Sequence, residues 1–197
     1  MLDVEKIKHY LSLFKDLKLT DLLKLFQMAK TRKLSIGEVY IKEGATYNKL
    51  AYIKKGLIRA FCIKENGDEI TVLLRWEDQF MASHDNVILH QPSRFIYQAL
   101  EDTELLEVDY DLAQDVFDKN QQFAKARNFF LLNMLAESMA RVETFIMLNP
   151  EERYLKLMKD KPDIINRVPN KYIASLLGIT PVSLSRIRKR IASHSKR

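Results

Sequence analysis

The chain has 197 residues, 47% hydrophobic and 29% charged, which is the mix of a soluble globular chain rather than a disordered one. Its length allows one large domain or two small ones. A single cysteine, Cys62, excludes a disulfide framework, a thiolate zinc cluster and a four-thiolate iron–sulfur site, and fits the reducing cytoplasm.

Two helices are expected first. Val4, Ile7, Leu11 and Phe14 repeat at helical spacing, as do Leu22, Leu25, Phe26 and Ala29 after Thr20 as N-cap. Met1-Leu-Asp-Val-Glu-Lys lacks the apolar core of a signal peptide. Four of the five glycines then fall between residues 37 and 67, separated by β-rich segments. That spacing reads as turns between short antiparallel strands. Leu57–Lys64 and Glu69–Trp76 meet through Asn66-Gly67, a hairpin signal. Ile70, Val72, Leu74 and Trp76 are expected on one face at period two. The middle third therefore reads as a small β-sandwich or roll. Asp109 caps a short helix through about Phe117.

A long helix is expected from Phe123 to Leu148. Of the 20 residues from Phe129 to Leu148, 14 are apolar. They leave only a polar stripe of Asn133, Glu137, Arg141 and Thr144, and charges here break any membrane-spanning run. A helix apolar on nearly every face needs two covers. One is the β-domain; the other is expected to be a second copy of the helix, with Phe130, Met134 and Phe145 as candidate contacts, the alternative being a central core helix in a monomer. Asn149-Pro150-Glu151-Glu152 ends this helix and starts the next, since asparagine caps well, proline suits the first turn and acids favour it. Asn149 is the candidate hinge.

Charge is segregated as well. Residues 1–149 hold 20 Lys/Arg against 22 Asp/Glu, and residues 150–197 hold 12 against 4. A nearly neutral body with a basic end points to a phosphate-bearing partner for that end. Residues 170–189 supply the motif. Ala174 is the small residue that lets two helices cross closely, and Gly178 suits the left-handed turn after Leu177. Ile173, Leu177, Ile179, Leu184 and Ile187 hold the pair together, while Thr180 caps the second helix and Pro181 opens it. Pro181, Val182, Ser183, Ser185, Arg186, Lys189 and Arg190 remain exposed. This is a helix-turn-helix whose second helix has the chemistry of a major-groove reader.

From these elements the whole chain resembles the Crp/Fnr family of bacterial transcription regulators. The resemblance implies an α+β fold: N-terminal helices with an antiparallel, jelly-roll-like β-roll (1–122), a dimerisation helix (123–148) and a winged helix-turn-helix (149–197). It implies a homodimer on an inverted-repeat DNA site, RNA polymerase as a further contact, and no enzymatic activity. Family members present Arg, Glu and a later Arg to the bases. Pro181, Val182 and Arg186 stand there, so only Arg186 keeps the family residue. Little chain follows Ile191 for the wing. Cyclic-nucleotide-binding members carry a Gly-Glu pair and an Arg-Ser/Thr-Ala run. Here Met81-Ala82-Ser83-His84-Asp85 stands where the first would lie, and Ser93, Arg94 and Phe95 at the second. The candidate effector pocket is Ala82, Ser83, Ser93, Arg94 and Ser138, with cyclic AMP not expected and the effector unknown. No cofactor and no metal are expected. Haem would have to rest on His84 or His90, each an ordinary histidine by context, and Cys62 reads as a small core residue. The alternatives are a β-roll module that has lost specific DNA binding, and a cupin-like metalloenzyme. The latter is disfavoured because His9, His84, His90 and His194 do not cluster in the strands.

Overall fold

The computed structural model describes residues 27–119 and 121–194. The two expected N-terminal helices lie outside them, except that Gln27 and Met28 are helical. Eight strands follow: β1 (Lys30–Leu34), β2 (Val39–Ile41), β3 (Lys49–Lys55), β4 (Leu57–Ile63), β5 (Glu69–Trp76), β6 (Phe80–Met81), β7 (Ile96–Ala99) and β8 (Thr103–Asp109). They form two four-stranded antiparallel sheets, ordered β1-β8-β3-β6 and β2-β7-β4-β5. Leu34, Ile41, Ile53, Ile58, Tyr97 and Leu105 fill the space between them. Alternation along each strand places these residues inward.

The β4–β5 hairpin carries a correction to the sequence reading. Ala60 pairs with Leu73, but Phe61 pairs with Thr71, so Val72 is an extra residue in β5. A bulge of this kind reverses the alternation beyond it. Val72 and Leu73 pack on the roll core. Leu74 and Trp76 instead face the C-terminal helices, so the four predicted residues do not share a face. The chain passes from β3 in one sheet to β4 in the other at Gly56, where φ is +101° and a Cβ would lie 2.7 Å from the Thr103 Cα. Only glycine fits such a corner.

Among the described residues there are seven helices: α1 (His84–Val87), α2 (Tyr110–Lys119), α3 (Gln121–Met147), α4 (Pro150–Asp160), α5 (Ile164–Arg167), α6 (Asn170–Leu176) and α7 (Pro181–His194). Asp109 caps α2 by accepting from the amides of Asp111 and Leu112. Among the described residues no helix is long and apolar enough to cross a membrane. Helix α7 runs to the last described residue, His194, so the wing expected after the recognition helix falls outside the described residues. Cys62, expected in the core, is half-buried toward the end of β4.

Candidate nucleic-acid interface

The α6–α7 pair is built as the sequence requires. Ile173, Ala174, Leu177, Leu184 and Ile187 are buried in one apolar cluster with Tyr154 of α4. Gly178 turns the chain at φ +70°. The Thr180 hydroxyl accepts from the Ser183 amide at 3.1 Å, capping α7. Thr180, Pro181, Val182, Ser185, Arg186, Lys189 and Arg190 are exposed, and Ser183 is half-buried. Arg186 and Arg190 border a groove of about 1020 Å³ between α4 and α7, floored by Leu155, Ile179 and Ile191. Arg190 is ion-paired across that groove to Glu151. Arg188, on the same helix, turns inward: it donates to Asn170 Oδ1 at 2.7 Å and lies over the Tyr154 ring. The exposed cations of α7 are therefore Arg186, Lys189 and Arg190, while Arg188 is part of the scaffold.

Asn149 adopts the expected cap. Its side chain accepts from the amides of Glu151 and Glu152, and the Glu152 carboxylate accepts from the Asn149 amide at 2.8 Å. This capping box fixes the start of α4. Arg153 adds what the sequence did not show. It donates to the carbonyls of Leu148 and Leu177, tying the end of α3 to the end of α6.

The long helix meets the roll through its polar stripe. Arg75 of β5 donates to Glu137 at 2.8 Å. Arg141, one turn on, is half-buried, and burial with the nearby Arg75 charge lowers its pKa. The opposite side exposes Leu132, Leu135, Met139, Val142 and Ile146. Their spacing of three and four residues is that of a coiled-coil seam. Of the candidate dimer contacts, Met134 is half-buried and off this stripe. Phe145 is also off it, stacked by Arg153 and set against Gly178. The Phe130 side chain lies outside the described residues. Stripes on a helix apolar all round look alike in sequence, and only the position of the roll separates them.

The loop after β6 holds the candidate effector residues. Ala82, Ser83 and Ser93 are buried. The Ser83 side chain caps α1, and the Ser93 hydroxyl donates to the Phe95 carbonyl at 2.8 Å. The Arg94 side chain is exposed and turned onto Asp85. Its backbone amide and its guanidinium both donate to Asp85, at 2.8, 3.0 and 2.8 Å. Asp85 is 1% exposed. Burial alone would push its carboxyl up, but the Arg94 donors outweigh burial and hold it below its ordinary value. Asn86 ties the loop down by donating to the carbonyls of Ala45 and Gln91 and accepting from the Tyr47 amide. Ser138 is exposed on α3 and bonded to its own helix. His84 opens α1 half-buried, and burial together with Arg75 lowers its pKa. Among the described residues no three His, Cys, Asp or Glu side chains converge to hold a metal.

Residues 31–120 match the cyclic nucleotide-binding domain family. No curated protein matches the chain by sequence. Solved structures match it by fold. FixK2 from Bradyrhizobium japonicum superposes with a TM-score of 0.74 at 13% identity, over 85% of this chain and 86% of that one. CLP of Xanthomonas campestris, described as a c-di-GMP responsive global regulator, gives 0.67 at 14% identity over 90% and 93%. A Eubacterium rectale protein assigned to the Crp/Fnr family gives 0.71 at 16% identity over 94% and 88%. Residues 31–120 thus resemble the cyclic nucleotide-binding domain family, and the chain as a whole shares the fold of these Crp/Fnr-type structures.

Proposed function

We propose that the chain is a homodimeric, sequence-specific DNA-binding transcription regulator of the Crp/Fnr type, acting in the cytoplasm, not an enzyme, and unresponsive to cyclic AMP. The observation that carries this reading is the α7 surface. A capped helix in a helix-turn-helix presents Val182, Ser185, Arg186 and Lys189 to solvent on a C-terminal segment of net charge +8. Arginine offers a bidentate fork to guanine, and lysine neutralises phosphate. The apolar seam on α3 supports pairing of two copies. A two-fold dimer spaces its recognition helices by about 34 Å, so its site is an inverted repeat.

The loop chemistry supports the negative half of the reading. A phosphate needs a free arginine and open backbone amides. Here the one arginine and its amide are taken by Asp85, a fixed negative charge that repels a phosphate. Binding of genomic fragments at two salt concentrations tests the function. Retention of a subset of fragments at the higher salt supports it, whereas uniform loss on all DNA removes sequence specificity. Calorimetry with millimolar cyclic AMP is expected to give no saturable heat.

A further inference from the structure

The outer face of the sheet β2-β7-β4-β5 is not a solvent face. Leu57 and Leu74, buried, and Trp76 and Leu100, partly buried, belong to the same apolar cluster as Ile164, Val168, Ile173 and Ala174 of the DNA-reading segment. A polar ring closes around this shared core. Arg167 of α5 reaches into the roll and forks onto two of its carboxylates, Glu77 at 2.6 and 2.9 Å and Glu101 at 2.7 and 2.9 Å. On the other side, Arg59 of β4 is 1% exposed, donates to Gln98, and is ion-paired with Glu69. Its guanidinium lies between two rings, Phe61 at 3.8 Å and Tyr172 of α6 at 3.7 Å. Between these anchors the Thr71 amide donates to the Ser175 hydroxyl of α6 at 2.9 Å.

We propose that this contact is a permanent clasp that holds the helix-turn-helix on the roll in its DNA-binding orientation, so that the chain binds its site without an effector. The inference rests on the DNA-binding reading above and adds how that activity is controlled. Three observations argue for it. The roll meets α6, so docking leaves the exposed face of α7 and the seam of α3 open together. Undocking would bare Leu57 and Leu74 to water and strip Arg167 of two forked carboxylates, which is costly for a charge so paired. The hinge at Asn149 is itself pinned, by its capping box and by Arg153 to the Leu148 and Leu177 carbonyls.

The test uses the full-length protein and two readouts. Amide exchange in the free protein is followed at Thr71. It is expected to be slow in the wild type and faster in Glu77→Gln/Glu101→Gln, a shape-conserving double variant whose fold is checked by circular dichroism. Ser175→Ala, which removes one hydroxyl only, is the milder second variant and is also expected to speed Thr71 exchange. Anisotropy then compares a selected fragment with random duplex, with no small molecule added. A clasp loosened until the docked state holds a tenth of the population weakens specific binding about tenfold. Random binding and the salt slope are expected to stay unchanged, because none of these residues is among the exposed α7 positions. Fast Thr71 exchange in the wild type overturns the clasp while leaving DNA binding intact. Equal or tighter specific binding by the double variant shows the docked state to be idle or inhibitory and overturns the proposal. A wild type that binds no fragment specifically overturns the DNA-binding reading, and the clasp's role with it.

Discussion

Arg186 and Lys189 share one helix but differ in what they can reach. Arg186 sits on the exposed face opposite Leu184 and Ile187, where a guanidinium meets a base edge. Lys189 lies a turn later, toward the groove wall. Arg186→Ala is expected to cost about 1–3 kcal/mol on the specific site and relax one base position, and Lys189→Ala to weaken all DNA alike with a salt slope lower by about one unit. Titrations of specific and random duplexes over a salt series check both, and equal losses for Arg186→Ala on the two duplexes would make it a phosphate clamp. Asp85 is the corresponding residue of the roll. Asp85→Ala removes the buried carboxylate that accepts from the part-buried Arg94 amide and is expected to lower stability by about 1–3 kcal/mol in urea unfolding. The exposed Arg94 side chain adds little to that figure. An unchanged midpoint would mean that water replaces the carboxylate and that the loop is not held by it.

At the level of single elements, α3 carries two contrasting faces. Glu137 and Arg141 lie toward the roll, and Leu132, Leu135, Met139, Val142 and Ile146 lie away from it. Exposed apolar seams of this spacing are stable only when covered. Leu135→Glu or Val142→Glu is expected to shift sedimentation from dimer to monomer at micromolar concentration and to abolish inverted-repeat binding, with circular dichroism unchanged. Met134→Glu, off the stripe, is expected to act more weakly on association. If Met134→Glu dissociates the protein and Val142→Glu does not, the interface runs along the other side of the helix.

For the molecule as a whole, the carboxylates at the docking surface set an acid limit. Burial alone would push Glu77 and Asp163 up. Arg167 pairs with both, and Lys161 pairs with Asp163, which together hold them below their ordinary values. A carboxyl lowered in the folded state contributes stability that is complete above its unfolded pKa. That contribution is lost as pH falls through the lowered folded value. Asp85 follows the same rule. Unfolding midpoints are therefore expected to be flat near neutrality and to fall below about pH 4. In Glu77→Gln/Glu101→Gln the acid slope is expected to be shallower. An identical slope in the variant would place the acid sensitivity outside the docking surface.

Local pattern fixed much of this in advance. Gly178, Ala174 and Thr180 act through turn geometry, close packing and capping, which depend on residues a few positions apart, so the helix-turn-helix is legible in the chain. The Asn149 cap and the Asn66-Gly67 hairpin are local in the same way. The bulge at Val72 was not legible, because it depends on which residues β4 offers as partners. The Arg94–Asp85 pairing was not legible either. A nine-residue separation along a loop gives no direction to a side chain until Asn86 and the β2–β3 segment fix it. The stripe of α3 that faces the roll was decided by Arg75, 62 residues from Glu137. The docking of α5 and α6 on the roll joins residues up to 111 positions apart, Arg167 and Gly56 among them. Such contacts follow from the packing of completed elements, where buried charge must find its partner across the fold, and no short window of sequence contains both halves.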